Sequence, residues 1–250
     1  MKKLLIATTL LAALPFAAFA DGGWNGSGEL GFAASRGNAK SENLNAKLNF
    51  SKEDDTWKDN FYLTALRSKG NSTSIQSIDG VPTAVTSYDY TANRYEAGAS
   101  AGYKFDERSY LVGALRYEND DFSPFNYQAV VSLGYGYTAI KNERTELSFE
   151  VGPGYKRVEP VLTGETESDV VGRGLIGFKY RFNENTGFEN TFLVEAGSDN
   201  TFYQNDAGLV VNMNKTLALK LGYQVRHNSD VAPGLKKTDQ LMTTNLVYNF

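Results

Sequence analysis

The feature that most restricts how this chain can fold is a two-residue rhythm of apolar and polar side chains that runs through nearly all of it after residue 20. Leu217, Leu219, Leu221, Tyr223 and Val225 alternate with Ala218, Lys220, Gly222, Gln224 and Arg226. Tyr127, Ala129, Val131, Leu133, Tyr135 and Tyr137 alternate in the same way with Gln128, Ser132, Gly134, Gly136 and Thr138. Val170, Ile176, Phe178, Tyr180 and Phe182 oppose Arg173, Lys179 and Arg181. In a strand, successive side chains point to opposite faces, so each segment has one apolar and one polar side; a helix would scatter the same residues around its circumference.

Between turn signals this rhythm predicts about twelve strands, at roughly 24–35, 41–51, 57–69, 90–105, 109–118, 125–139, 144–157, 167–182, 187–197, 201–213, 215–227 and 238–250. The connectors alternate in length. Short polar turns fall at Glu53-Asp54-Asp55, Asp106-Glu107, Lys141-Asn142-Glu143, Asn183-Glu184-Asn185 and Asn214-Lys215, and longer stretches at about 70–89, 119–124, 158–166 and 228–237. Arg36-Gly37-Asn38 and Ser198-Asp199-Asn200 are expected as short hairpins on the long-loop side. Short turns on one side and longer loops on the other are the habit of transmembrane barrels, whose short turns face the periplasm. The expected fold is therefore all-β: a transmembrane antiparallel up-and-down barrel of about 12 strands, located in the cell outer membrane.

Composition fits that class and excludes others. Mean hydropathy is negative, and after residue 20 no apolar run approaches the ~20 residues of a spanning helix. Yet the chain has 15 Tyr, 15 Phe and 24 Gly, suited to strands with one apolar face and one small or polar face. It has no Cys, which removes a disulfide framework.

Residues 1–20 are expected to be a signal peptide. Lys2 and Lys3 precede an uncharged stretch from Leu4 to Phe19, and Ala18-Phe19-Ala20 is a small-x-small cleavage pattern. The mature barrel would span 21–250, and no Cys follows the cut to carry a lipid anchor. Without the two signal lysines, 23 Lys and Arg face 29 Asp and Glu, a net charge of −6. With no clustered basic excess, nucleic acid is not an expected partner.

Aromatic residues mark two expected interfacial rows. Trp24, Phe50, Trp57, Phe105, Tyr137, Phe182, Phe188 and Phe250 fall near the short-turn ends, and Tyr95, Tyr117, Tyr127, Tyr155 and Tyr223 toward the other. A soluble barrel with an apolar inside would alternate too; the two rows and the unequal connectors separate the readings. In the last strand Met242, Leu246, Tyr248 and Phe250 share one face, and a terminal Phe in that phase resembles the signal read by the barrel-assembly machinery.

The segment Trp24-Asn25-Gly26-Ser27-Gly28-Glu29-Leu30-Gly31-Phe32, then Ser35-Arg36-Gly37-Asn38 and Asn43-Leu44, with Trp57 beyond, resembles the opening of the YdiY-like family of salt-induced outer-membrane proteins. The resemblance implies location and fold and carries over no catalytic residue. It is also the sole source of any link to salt or osmotic conditions.

The polar faces carry the functional signal. Glu29, Lys47, Arg94, Glu96, Lys104, Arg116, Glu150, Arg173, Lys179, Glu195, Lys220 and Arg226 are expected to line the lumen, together with Glu118, Lys156, Arg181 and Asp206. Opposed charges could conduct small ions or polar solutes, or pair with one another and plug the narrow space. Outer-membrane lipids and lipopolysaccharide are the expected surroundings.

No cofactor, metal or catalytic residue is assigned, and the protein is read as a non-enzymatic, porin-like component. The rivals are a lipid-modifying enzyme built on His227 with Ser229 and Asp230, and a receptor acting through external loops. Neither has a recognisable nucleophile motif or binding signature. Glu118, Asp120 and Asp121 are expected as a solvated acidic loop, with Ca²⁺ as the alternative. The stretch 70–89, with Val81-Pro82, is expected as a mobile external loop.

Overall fold

The computed structural model describes residues 23–35, 41–78, 81–231 and 236–250, with only the backbone described at 34, 72–76, 78 and 82–84. The proposed signal segment lies outside the described residues, as does the Arg36-Gly37-Asn38 hairpin. Twelve strands follow one another: β1 (Asn25–Ser35), β2 (Ser41–Glu53), β3 (Trp57–Ile78), β4 (Val81–Lys104), β5 (Ser109–Asp120), β6 (Phe125–Lys141), β7 (Thr145–Pro160), β8 (Glu167–Arg181), β9 (Thr186–Ala196), β10 (Thr201–Asn212), β11 (Leu217–Asn228) and β12 (Thr238–Asn249). Each pairs antiparallel with its sequence neighbours, and β1 pairs with β12 to close the ring. Closure leaves no sheet edge within the barrel wall, which is what a hydrocarbon solvent demands of a backbone it cannot hydrogen-bond.

The alternation sorts cleanly onto two sides. Leu30, Phe32, Leu115, Leu133, Val151, Val170, Leu221 and Leu246 are exposed on the outer wall, while Glu29, Arg116, Glu195 and Asn245 are buried inside. An apolar exterior around a charged interior inverts a soluble protein and suits a cylinder standing in lipid. Rings gather near the short-turn end, where Trp57 meets Tyr103 at 5.4 Å, Tyr180 meets Phe182 at 5.1 Å and Phe50 meets Phe250 at 5.9 Å. Toward the other end Tyr117 stacks on Tyr127 at 6.1 Å and Phe192 on Tyr203 at 6.2 Å.

The five short turns share one construction. Asp54, Asp106, Asn142, Asn183 and Asn214 each accept, through Oδ1, hydrogen bonds from the backbone N–H groups two and three residues on, at 2.7–3.0 Å. Such Asx turns replace a missing ladder bond with a side-chain acceptor and let the chain reverse in a few residues. At Asp106, donation from Arg108 and then Ser109 holds the carboxyl below the usual aspartate range, and at Asp54 Trp57 and then Thr56 do the same.

The opposite end corrects three expectations. The stretch 70–89 is not a loop: β3 and β4 continue as a paired ribbon in register as far as Ile78 and Val81. Thr73, Ile75, Val81, Val85 and Tyr88 favour extended backbone, and that preference prevails over the Ser and Gly content. Likewise Glu118 and Asp120 belong to β5 and turn inward, so the acidic-loop and Ca²⁺ readings of that cluster do not hold. Strand β7 runs to Pro160, shortening the connector expected from 158. The extra chain on this side goes into longer strands more than into loops.

Two glycines admit rings to the interior. A Cβ at Gly136 would collide with the ring of Tyr110, and one at Gly98 with the ring of Tyr62. The crowding they relieve is across strands rather than between sequence neighbours.

Candidate functional site: a lumen packed with ion pairs in its outer half

Ten of the twelve candidates line the central cavity, Arg226 is buried in the layer above it, and Lys104 sits at the short-turn rim against Glu53; together they form two regions of different character. The outer region is packed. Arg116 on β5 makes a bidentate contact with Glu195 on β9, Nε to Oε1 at 3.2 Å and Nη2 to Oε2 at 2.5 Å. It also reaches Glu118 at 3.2 Å. Arg226 on β11 donates to Glu118 Oε2 at 2.5 Å and to Asp120 Oδ2 at 3.3 Å. In a ring of twelve, β5 and β11 stand six strands apart in either direction, so this pair joins opposite walls.

Around these ions the space is filled. Phe202 is fully buried, and the guanidinium carbons of Arg116 and Arg226 lie 5.0 and 5.1 Å from its ring centroid. Val130, Val171 and Leu193 are buried on the inner wall, as is Gln128. Glu118 and Glu195 are each only 1% exposed, a degree of burial a carboxylate tolerates only when paired. Tyr62 donates to Glu96 at 2.6 Å, and Arg94 on β4 donates to Gln224 on β11 at 2.5 Å, a second link across the barrel. Gln224 in turn donates to Asp206 at 2.6 Å. Lys156 is buried without an ion pair among the described residues; its ammonium lies 5.5 Å from the Phe125 ring.

A cavity of about 730 Å³ runs from the short-turn rim up against this layer, touching Arg94, Glu96, Arg116 and Glu195 at its top and lined further down by Glu29, Lys47, Glu150, Arg173, Lys179 and Lys220. Lys220 bridges Glu29 at 2.8 Å and Glu189 at 2.5 Å, Asn245 donates to Glu29 at 3.1 Å, and Arg173 meets Glu150 at 3.1 Å. Lys47 stands beside Glu29 in the ladder. Nearer the short-turn rim Lys58 and Lys179 stand 3.8 and 3.6 Å from Glu146, while Lys141 meets Glu53 at 2.7 Å. Lys104 reaches Glu53 at 3.3 Å and the Asp54 carbonyl at 2.9 Å. Asn49, Ser51, Asn60, Ser148 and Gly177 supply the small wall that leaves room.

Sequence reasoning missed Phe202, Tyr62 and Tyr110 as interior groups, although each is in phase with inward neighbours: Phe202 with Gln204 and Asp206, Tyr62 with Asn60 and Thr64. The rival cluster near His227 is not assembled as a nucleophile and base. His227 Nδ1 is 2.8 Å from Thr238 Oγ1, while the Ser229 hydroxyl donates to Asn200 Oδ1 at 3.3 Å and accepts from the Thr201 N–H at 2.8 Å.

A closed antiparallel cylinder, apolar outside, ringed by aromatics and charged within, is an outer-membrane β-barrel. The chain belongs to the DUF481 family, described as proteins of unknown function, whose family model matches residues 28–250. The uncharacterized protein YdiY of Escherichia coli (strain K12) is 24% identical over 220 residues, which cover 88% of this chain and 80% of that protein. Among solved structures, an outer-membrane channel from Pseudomonas putida F1 superposes with a TM-score of 0.48 at 11% identity, covering 90% of this chain and 94% of that one. The translocator domain of the autotransporter NalP from Neisseria meningitidis gives a TM-score of 0.48 at 12% identity, covering 99% and 97%.

Proposed function

We propose that this barrel is a non-enzymatic, narrow channel for small ions and polar solutes, held shut in its outer half by ion pairs that reach across the lumen. The reading rests above all on the contact between Arg226 and Glu118, which joins diametrically opposite strands above a cavity that reaches the short-turn residues Lys52, Glu53 and Lys58. A permanent seal needs no charges, because apolar residues of similar volume close a space at least as stably as a buried ion pair. Charged groups, in contrast, become hydrated when they separate, so a barrier made of them can part and admit water. The passage would be lined by Lys47, Glu29, Lys220, Arg173 and Glu150 below and by Arg94, Glu96, Arg116 and Glu195 above.

The link to salt or osmotic conditions, which the family resemblance suggests, fits a gate whose partners compete with mobile ions. Phe250 is proposed as the group offered to the assembly machinery, and it also serves the folded state: its N–H and C=O pair with Gly26 at 2.9 and 2.8 Å.

Planar-bilayer recordings of the purified full chain test the proposal. Rare, small conductance steps are expected from the native barrel and frequent ones from Glu118→Gln/Arg226→Gln, with heat-modifiable migration showing that both are folded. Silence from both folded proteins at every ionic strength would instead make the barrel a closed structural component of the envelope.

A further inference from the structure

One group of charges lies outside the lumen and serves neither the channel nor its closure. Where the β3–β4 ribbon leaves the barrel, the register slips between Ser68 and Lys69: Ser68 pairs with Ala92 and Lys69 with Tyr90, leaving Thr91 as an extra residue in β4. A bulge of one residue reverses which face the following side chains occupy. Below it, even-numbered residues of β4 such as Arg94 and Glu96 face the lumen. Above it, Tyr88 and Tyr90 face outward instead, onto the side of β3 that carries Phe61, Leu63, Arg67 and Lys69.

The consequence is a compact basic and aromatic patch. The Arg67 guanidinium carbon lies 4.6 Å from the Tyr90 ring centroid, and the Lys69 ammonium lies 4.1 Å from the same ring and 5.9 Å from that of Tyr88. Neither cation has a carboxylate partner among the described residues, and Arg67 Nε is buried with no hydrogen-bond acceptor. Glu42, across the ladder from Lys69, is engaged otherwise. Two cations held on one ring, with an idle guanidinium N–H, form a site that lacks its anion.

Depth identifies the anion's source. Arg67 is ten residues beyond Trp57, the periplasmic aromatic of the same strand, which at ~3.3 Å per residue and the usual barrel tilt places it about 25 Å higher. That is the thickness of the apolar band, so the patch stands at the outer headgroup level, directly above Ala65 and its ladder partner Tyr95. At that level the available anions are the phosphates of outer-leaflet lipid. The expectation of lipopolysaccharide as a neighbour names no residues; the geometry points to these. We propose that Arg67 and Lys69, supported by Tyr90, bind a phosphate group of a phosphorylated outer-leaflet glycolipid. Arginine fits the task because its planar fork can hold two phosphate oxygens while its face rests on an aromatic ring.

The test measures retention of bisphosphorylated lipid A by the purified full chain, using native mass spectrometry and titration in nanodiscs of phosphatidylcholine doped with lipid A. Arg67→Gln/Lys69→Gln should weaken binding by about ten-fold or more, the scale expected for losing charge-assisted contacts to phosphate. Arg157→Gln, at an exposed cation of β7 with no ion pair among the described residues, should leave it unchanged. Tyr90→Leu, which keeps both charges but removes their platform, should give an intermediate loss and provides a second variant if the double substitution does not fold. Native-strength lipid A binding by the folded double variant would overturn the site. So would equal competition by inorganic phosphate in detergent, which would indicate an ion site indifferent to lipid.

Discussion

The two halves of the lumen are built from the same residue types and behave differently. In the outer half Arg116, Glu118, Glu195 and Arg226 are nearly excluded from solvent and meet at 2.5–3.3 Å. In the periplasmic half Lys220 and Arg173 still hold Glu29, Glu189 and Glu150 at 2.5–3.1 Å, but toward the rim Lys58 and Lys179 stand 3.6–3.8 Å from Glu146, and Lys179 remains 68% exposed. What separates them is the company the charges keep. Above, Phe202, Val130, Leu193 and Val171 fill the gaps between ions; below, Asn, Ser and Gly leave them open. Charge in a small barrel therefore does not by itself dictate an open pore. Reach across the bore, and bulk beside the ions, decide whether a ring of charge seals or merely lines.

Substitutions sharpen that contrast in descending order of effect. Glu118→Ala leaves Arg226 with Asp120 alone and Arg116 with Glu195 alone in a dry layer, so it should cost about 3–5 kcal/mol, the usual penalty for breaking a buried pair. The urea midpoint of the heat-modifiable gel band measures this, and a loss below about 1 kcal/mol, typical of exposed pairs, would erase the distinction between the halves. Gly136→Ala, which drives a methyl group into the Tyr110 ring, should cost about 1–3 kcal/mol, the range for overpacking. Adding Tyr110→Ala should remove most of that increment; if it does not, the ring is not what crowds the site.

At the rim the effects become small. Glu53→Gln removes the negative charge shared by Lys104 and Lys141, and should shift the same midpoint by no more than about 1 kcal/mol. The smallest effect is on acidity in the turns. The Asp54 and Asp106 carboxyls are held below the ordinary value of 3.8 by backbone donors, so their contribution is complete above that value and is lost as pH falls through the lowered one. Amide resonances of Trp57 and Ser109 should titrate with midpoints below 3.8, while Thr145, capped by the uncharged Asn142, should not move. A midpoint above 3.8 at either aspartate would contradict the turn geometry.

How much of this was legible in the chain itself follows from the range of each interaction. A period of two is local, so most of the strands and the charged residues of their inner faces could be read from neighbours. The pairing of Glu118 with Arg226 spans 108 positions and depends on ring order and shear, which no local pattern carries. Phe202 was readable by phase, because it alternates with Gln204 and Asp206, but its aromatic character argued for the lipid side. The ribbon beyond Lys69 was hidden by Ser and Gly, although Thr, Ile, Val and Tyr around an Asp79-Gly80 pair are a hairpin signal.

The seam between β1 and β12 has a consequence for the life of the whole cylinder. Its ladder registers four residue pairs, Ser27 to Leu30 with Asn249 to Leu246, where β1 and β2 register eleven. A hoop is only as strong as its clasp, and this clasp is its shortest row of fastenings, supplemented by Gly26 and Phe250 at one end. Pulling force or heat should part the first stave from the last before any other, and the tube would come undone as a flat strip rather than collapse inward.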